Sequence, residues 1–285
     1  MERVKTFIPG FDQLVNGGIP KGFNVLVVGQ PGAGKTIFGL QYLYNGAIAG
    51  ENGLYITLDS REEEIREQAK QFNWDIDALE SQKKLFILGI PLNKQTRVNL
   101  FTLIEEKIKE LGVKRLVFDS LSSMLFNINQ FLLDLPILDD VSKLPATDKN
   151  KLYEEILSKQ EIPEALQKDR PDPKFYKSKP EKRIVYLVMR ELSAIGTTNL
   201  IIASQPSPTS QGKMTMDGVS EFVSDGIIMM EFQEIAKKAV RSLQIKKMRN
   251  TNHELDSYLL AFTAQGLNIT EEKAYSGSKI SGVNL

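Results

Sequence analysis

From Phe23 to about Leu125, short apolar runs alternate with longer stretches whose apolar residues recur every three or four positions. The short runs are typical of buried strands, and the longer periodic stretches are typical of amphipathic helices. The predicted strands are FNVLVVG, GLYITLD, KLFILGI and KRLVFDS, and the predicted helices are KTIFGLQYLYNGAIAG, SREEEIREQAKQF and RVNLFTLIEEKIKELG. This alternation predicts an α/β fold with a parallel sheet covered by helices. Gly50 is expected to end the first helix, and Ser60 with Glu63 is expected to cap the second.

The alternation fails between residues 128 and 182, where prolines and charges are frequent and a helix is predicted only around LYEEILSKQ. A structureless loop of that length is unusual inside a compact domain, so we interpret the segment as an insertion into one domain spanning residues 1–285. A surface decoration and a lid or docking element are both compatible with it.

The core pattern resumes with the helix IVYLVMRELSAIG and the strand TNLIIASQ, followed by the polar loop PSPTSQGKMTMDG. Three closing strands are predicted in DGIIMMEF, RSLQIKKMR and SYLLAFTA. Because their connections are short, we expect them to be antiparallel.

Composition narrows the classes of function. Of the 285 residues 41% are hydrophobic, and 36 basic residues balance 36 acidic ones, so no overall attraction to nucleic acid or acidic membrane is expected. The chain has no cysteine and one histidine, which excludes disulfides and thiolate chemistry and argues against a histidine metal site. No run approaches the roughly 20 apolar residues of a membrane span and no signal core begins the chain, so we expect a cytoplasmic protein.

A phosphate-binding loop is predicted at GQPGAGKT, which fits GxxxxGK[ST] between a predicted strand and a predicted helix. Its backbone N–H groups and the helix N-terminus would face phosphate oxygens. Lys35 would reach the β and γ phosphates, and the Thr36 hydroxyl would bind Mg²⁺. The expected nucleotide-binding residues are Gly29, Gln30, Pro31, Gly32, Ala33, Gly34, Lys35 and Thr36.

Three further candidates lie at predicted strand ends. Asp119 closes RLVFD and is expected to hold the Mg²⁺ shell. Asp59 follows YITL and would orient the attacking water, unless it only serves the turn before the next helix. Gln205 closes LIIASQ at the edge where ligands bind in open α/β sheets. It would sense the γ-phosphate there, or else only satisfy local backbone.

The segment KKMRNTNH, residues 246–253, contains three cations and the only histidine of the chain. Lys247 and Arg249 alternate with Met248 along a predicted strand, so both are expected on one face and Lys246 on the other. Without further information, this pattern also fits a solvated basic strand edge that discourages edge pairing.

Together these motifs resemble the KaiC family within the RecA-like P-loop ATPases. The resemblance covers nearly all of the chain except the insertion and includes IPGFDQLVNGGIPKG, GLYITLD, EFVSDGIIMME and KMRNTNH in order. It implies a mostly parallel central sheet with antiparallel closing strands, ATP with Mg²⁺ as the ligand, and a homo-oligomeric ring, commonly a hexamer. It also implies that Lys247, Arg249 and His253 reach the ATP of the neighbouring subunit.

Two departures from the family pattern affect the expected chemistry. Asp59 and Ser60 stand where the family usually has paired glutamates, so slow hydrolysis is expected. Glu221 and Phe222 stand where the autophosphorylating half of clock KaiC has its Ser-Thr acceptor pair. Autophosphorylation at that pair is therefore excluded, whereas Ser220 or Ser224 remains a candidate.

The leading hypothesis is a ring-forming ATPase that drives or reports a conformational state to an unidentified protein partner. A RecA-type ATPase acting on single-stranded nucleic acid is a second hypothesis, supported by KFYKSKPEKR but not by the loop PSPTSQGKMTMDG, which offers only Lys213 and no aromatic residue. A nucleotide-dependent scaffold with little hydrolysis is the third.

Overall fold

The computed structural model describes residues 1–90, 100–126, 180–206, 213–235 and 238–274. The strands in these ranges are β1 (Arg3–Val4), β2 (Ile19–Pro20), β3 (Asn24–Gly29), β4 (Gly53–Thr57), β5 (Leu85–Gly89), β6 (Arg115–Asp119), β7 (Thr198–Ser204), β8 (Gly226–Ile235), β9 (Lys238–Met248), β10 (Ser257–Thr263) and β11 (Gly266–Lys273). The helices are α1 (Phe11–Leu14), α2 (Lys35–Ile48), α3 (Glu62–Lys70), α4 (Ile76–Ser81), α5 (Leu100–Leu111), α6 (Leu121–Phe126), α7 (Pro180–Ala194) and α8 (Ser220–Val223).

The main sheet has the strand order β11-β10-β9-β8-β3-β7-β6-β4-β5. The strands from β8 to β5 are parallel, and β9, β10 and β11 continue the sheet in antiparallel pairs. The predicted α/β fold with a mostly parallel sheet and antiparallel closing strands is confirmed. One detail was wrong, because the first of the three closing strands, β8, runs parallel to β3. The chain between β7 and β8 returns to the starting end of β3, so β8 begins there in the same direction.

Two apolar layers cover the sheet, and they explain why the middle residues of its central strands are apolar. All six residues of β3 are buried, as expected for a parallel strand covered on both faces. Val25 and Val27 pack with α2, whereas Leu26 and Val28 pack with residues of α5 and α7. Phosphate-loop residues therefore extend from a strand that is fixed on both sides.

The helix-end predictions had mixed outcomes. Helix α2 ends at Ile48, and Gly50 follows with a φ of +89°, which agrees with the predicted stop. The predicted Ser60 cap was wrong, because the Thr57 hydroxyl binds both the N–H and the carbonyl of Ser60 and keeps it in a turn. The helix around LYEEILSKQ lies outside the described residues, as does most of the predicted insertion; Pro180 already begins α7. Among the described helices, none combines the length and apolar character needed to cross a membrane.

Candidate nucleotide-binding site

The loop between β3 and α2 needs glycine at three points. A Cβ on Gly29 would lie 2.0 Å from the carbonyl oxygen of Met230, so only glycine fits beside β8. Gly32 and Gly34 have φ values of +77° and +102°, in the left-handed region that favours glycine. Helix α2 begins directly after Gly34, so its free N–H groups and its dipole face the loop. The sequence-predicted phosphate loop thus has a backbone that can surround an anion.

Lys35 is held across this loop by its own backbone. Its Nζ donates to the carbonyl oxygens of Gly29 and Gln30, at 2.9 Å each. Burial lowers the pKa of Lys35, and the charge of Asp119 partly opposes this shift. The ammonium is therefore already at the mouth of the loop, and phosphate oxygens could replace the two carbonyls as its acceptors.

Thr36 and Asp119, the two residues predicted to hold the metal, meet at the start of α2. The Thr36 hydroxyl donates to Asp119 Oδ2 at 3.1 Å, and the Tyr55 hydroxyl donates to the same oxygen at 2.5 Å. Burial raises the pKa of Asp119, whereas the hydrogen bonds from Tyr55 and Thr36 and the charge of Lys35 lower it. A hydroxyl and a carboxylate side by side fit Mg²⁺, which takes few protein oxygens and completes its shell with phosphate and water.

Asp59 lies beside this pair and is exposed to solvent. Its Oδ2 accepts a hydrogen bond of 3.0 Å from the hydroxyl of Ser120, the residue that follows Asp119. The backbone N–H of Leu58 also donates to the Asp119 carbonyl at 2.6 Å, which ties the two strand ends together. The charge of Asp59 contributes to the raised pKa of Asp119. The predicted water-orienting acid and the predicted metal carboxylate therefore share one edge of the sheet.

Gln205 lies at the same edge, directly after β7, which is the strand between β3 and β6. Its backbone N–H donates to the Gly29 carbonyl at 3.3 Å, and its Nε2 donates to Glu231 Oε1 at 3.1 Å. Its Oε1 is buried and has no hydrogen-bond partner among the described residues. Of the two amide atoms only Nε2 can donate to a phosphate oxygen, and it would have to leave Glu231 to do so, whereas Oε1 is an acceptor and offers phosphate no bond.

Lys247 and Arg249 do not join this cluster, because they lie at the opposite end of the sheet. Met248, between them, pairs with Gly226, which in turn pairs with Val25 at the beginning of β3. Val25 is four residues from the end of β3, where the loop begins. At about 3.3 Å per residue, Lys247 and Arg249 therefore lie roughly 13 Å from the start of the loop. These side chains are therefore remote from the phosphate loop of their own chain.

At that remote end each cation has partners in its own chain. Lys247 Nζ donates to the carbonyl oxygens of Glu221, Phe222 and Ser224, at 3.2, 3.2 and 2.6 Å. Arg249 lies 3.4 Å from Asp225. His253 Nδ1 lies 3.0 Å from the carbonyl oxygen of Glu254. The Lys246 side chain is exposed to solvent.

The residues around Glu221 form an anchored turn. The Glu221 carboxylate accepts hydrogen bonds from the N–H groups of Met214 and Thr215, at 2.7 and 3.2 Å. Phe222 is 70% exposed, whereas Ser220 and Ser224 are fully buried. Neither serine is exposed to solvent in this structure, so a phosphate donor could reach them only after a rearrangement. Residues 207–212 of the preceding loop lie outside the described residues.

Two residues at the site were missed by sequence reasoning. For Tyr55 the sequence held only a weak indication of a role in the site, namely a hydroxyl within the otherwise apolar start of GLYITLD. Arg241 had none, yet its Nε donates to the Gly32 carbonyl at 3.0 Å. Its guanidinium lies over the rings of Phe232 and Phe262, with 4.8 and 4.7 Å from Cζ to the centroids. Arg241 thus fixes the outer side of the phosphate loop.

Comparisons with known proteins find similar sequences and a similar fold. A family model described as "ATPase: KaiC" matches residues 4–131 and 174–274. A UPF0273 protein of Aeropyrum pernix is 30% identical over 96% of this chain and 95% of its own length, and one of Thermotoga maritima is 31% identical over 97% and 99%. The circadian clock oscillator protein KaiC of Synechococcus elongatus is 26% identical over 94% of this chain but only 44% of its own length. The crystal structure of a KaiC-like protein of Pyrococcus horikoshii aligns with a TM-score of 0.70 at 27% identity, over 94% of this chain and 99% of the other.

Proposed function

Because this chain belongs to the KaiC family of ATPases, we propose that it binds ATP with Mg²⁺ on the loop from Gly29 to Thr36 and hydrolyses it slowly. The contact between Thr36 and Asp119 is the observation that carries this proposal. It joins the phosphate loop to an acid on a separate strand, which a glycine-rich turn with an accidental Lys-Thr pair would not require. Bound Mg²⁺ would neutralise charge on the phosphates.

Lys35, Gln205 and Asp59 have separate roles in this proposal. Lys35 would exchange its two loop carbonyls for phosphate oxygens, and Gln205 would exchange Glu231 for the γ-phosphate. Asp59 would orient the attacking water and accept its proton. Slow turnover is expected because Asp59 is shorter than the family glutamate, has Ser60 instead of a second acid beside it, and already accepts a hydrogen bond from Ser120.

We further propose a ring in which Lys247 and Arg249 act on the nucleotide of the neighbouring subunit, with His253 as a weaker contact. Their separation of roughly 13 Å from the start of their own phosphate loop supports an action in trans, since an arginine side chain spans only about half of that distance. In that position they would stabilise charge on the transferring phosphoryl group. A hexamer and a regulatory role towards a protein partner fit this arrangement.

A mixing experiment tests the trans proposal. We expect the mass in solution to rise from monomer to ring when ATP and Mg²⁺ are added, and we expect both Arg249→Ala and Lys35→Ala to abolish turnover. Mixing the two variants should restore part of the activity, because some interfaces then combine an intact loop with an intact Arg249. Lys246→Ala is the matched control, since it removes an exposed cation from the same strand. A monomer under all conditions, with full activity in Arg249→Ala, would refute the shared site.

A further inference from the structure

Tyr55 places a hydroxyl where the fold itself needs only a ring. Its side chain is fully buried in β4, and its hydroxyl reaches Asp119 Oδ2 at the end of the neighbouring strand β6. Burying a phenol hydroxyl is unfavourable unless it finds a hydrogen-bond partner, and phenylalanine would fill the same space without that requirement. Packing alone therefore does not explain the hydroxyl.

Register explains how the contact forms. Tyr55 pairs with Val117, and Thr57 pairs with Asp119, so the carboxylate lies one strand away and two residues further on. The phenol is long enough to span this diagonal, whereas a shorter hydroxyl at position 55 would not reach. The hydrogen bond thus holds the carboxylate from the buried part of the sheet.

We propose that Tyr55 is a positioning residue that orients Asp119 for Mg²⁺. This inference rests on the proposed function, since it assigns a role in the same site. Among the described residues, both donors to this carboxylate, Thr36 and Tyr55, reach the same oxygen, Oδ2. Two hydrogen bonds to one oxygen restrict the side-chain rotamer and would leave Oδ1 for the metal shell.

The two donors, Thr36 and Tyr55, would respond differently to metal binding. The Thr36 oxygen would become a metal ligand, so its position depends on the metal. The Tyr55 side chain is fully buried, and its hydroxyl interacts with both the Asp119 carboxylate and the Thr36 side chain without being a predicted metal ligand itself. Lys35 and Asp59 are the other charged groups that face Asp119, and both lie on the nucleotide side. Tyr55 is thus the donor to Asp119 that would not bind the metal itself, and it can preorganise the carboxylate before the ligands bind.

Tyr55→Phe tests this role, and Tyr42→Phe is its matched control. Tyr42 is also fully buried, but its hydroxyl donates to the backbone carbonyl of Thr198, at 3.1 Å, away from the metal pair. For both variants we would measure the affinity for a fluorescent ATP analogue with Mg²⁺ and in EDTA, the Mg²⁺ concentration at half-maximal binding, and thermal melting. Both phenylalanines keep the ring, so both variants are expected to fold.

For Tyr55→Phe we expect about a tenfold rise in the Mg²⁺ concentration at half-maximal binding, because a hydrogen bond to a charged group contributes roughly that factor. The affinity in EDTA should stay within about twofold of the original chain, and Tyr42→Phe should change neither value. In an Asp119→Asn background, Tyr55→Phe should have no further effect on the Mg²⁺ requirement, since the two residues act through one group.

Four outcomes would overturn the inference. An unchanged Mg²⁺ requirement in Tyr55→Phe would show that Asp119 is positioned without the hydroxyl. An equal loss of affinity in EDTA, or an equal effect of Tyr42→Phe, would show that the role is only structural. If the original chain binds no ATP with Mg²⁺, the proposed function fails and takes this inference with it; normal binding by the original chain, with no effect of Tyr55→Phe, refutes the inference alone.

Discussion

Gly46 lies in the interior of α2, where alanine is normally the more stable residue, and yet we expect Gly46→Ala to destabilise this protein. A Cβ at this position would lie 2.4, 2.5 and 2.6 Å from the Nε, Cδ and Cζ atoms of Arg115. Real Cβ atoms do not approach other atoms so closely, so the Arg115 side chain must move. That side chain is completely buried and is therefore not free to move into solvent.

The magnitude follows from what Arg115 would lose. Its guanidinium donates to Glu51 at 2.6 Å and to the carbonyl oxygens of Tyr42 and Lys5 at 3.0 and 2.8 Å. Disrupting a buried ion pair costs about 3–5 kcal/mol, and the lower end applies because the Glu51 side chain is 41% exposed. Alanine regains about 1 kcal/mol of helix propensity. We therefore expect the free energy of unfolding to fall by about 2 kcal/mol.

Urea unfolding followed by circular dichroism measures this effect, and a double-mutant cycle identifies its cause. In an Arg115→Met background the flexible thioether can yield to the new methyl group, so Gly46→Ala should there be neutral or stabilising by up to about 1 kcal/mol. A stabilising Gly46→Ala in the original chain, or an equal loss in both backgrounds, would refute the reasoning from the clash.

Two further predictions concern the site. Arg241→Ala should weaken ATP binding about fivefold with little change in melting temperature, because the Gly32 carbonyl loses its donor and the loop is less preorganised; a fluorescent ATP analogue measures the affinity, and an unchanged value would contradict this. Asp59→Asn should lower ATP turnover at least tenfold at unchanged ATP affinity, because an amide cannot accept the proton of the water. Unchanged turnover in a steady-state phosphate-release assay would exclude Asp59 as the water-orienting acid.

The parts of the fold that sequence predicted are those encoded locally. Strand β3 and helix α2 follow from their own apolar patterns, and the phosphate loop follows from glycines that no other residue can replace there. Strand β11 was missed because it is an edge strand, with a half that ends in exposed Glu271, Glu272 and Lys273 and carries little apolar signal. Helix α4 was missed because six residues show no full period; its clearest mark is the Asp75 side chain, which accepts from the N–H of Ala78.

The site required information that no local pattern holds. Asp59 and Asp119 were each recognised as strand-end acids, but their proximity depends on β4 lying beside β6, although β5 intervenes in the chain. The same is true of Tyr55, whose reach to Asp119 depends on the register of those two strands. Residue types can therefore be proposed from sequence, whereas the hydrogen bonds between them depend on strand order and register, which are long-range properties.

The contacts of Lys247 also give the proposed ring a mechanical consequence. In this structure Lys247 satisfies the carbonyl oxygens at the end of α8, including that of Glu221, whose carboxylate holds the N–H groups of Met214 and Thr215. If Lys247 moves to a phosphate of the neighbouring subunit, α8 loses this cap, and the turn that Glu221 anchors loses support. Nucleotide occupancy in one subunit would then change the order of residues 213–218 in the next. A ring built in this way would transmit its nucleotide state through a lysine that has two competing sets of acceptors.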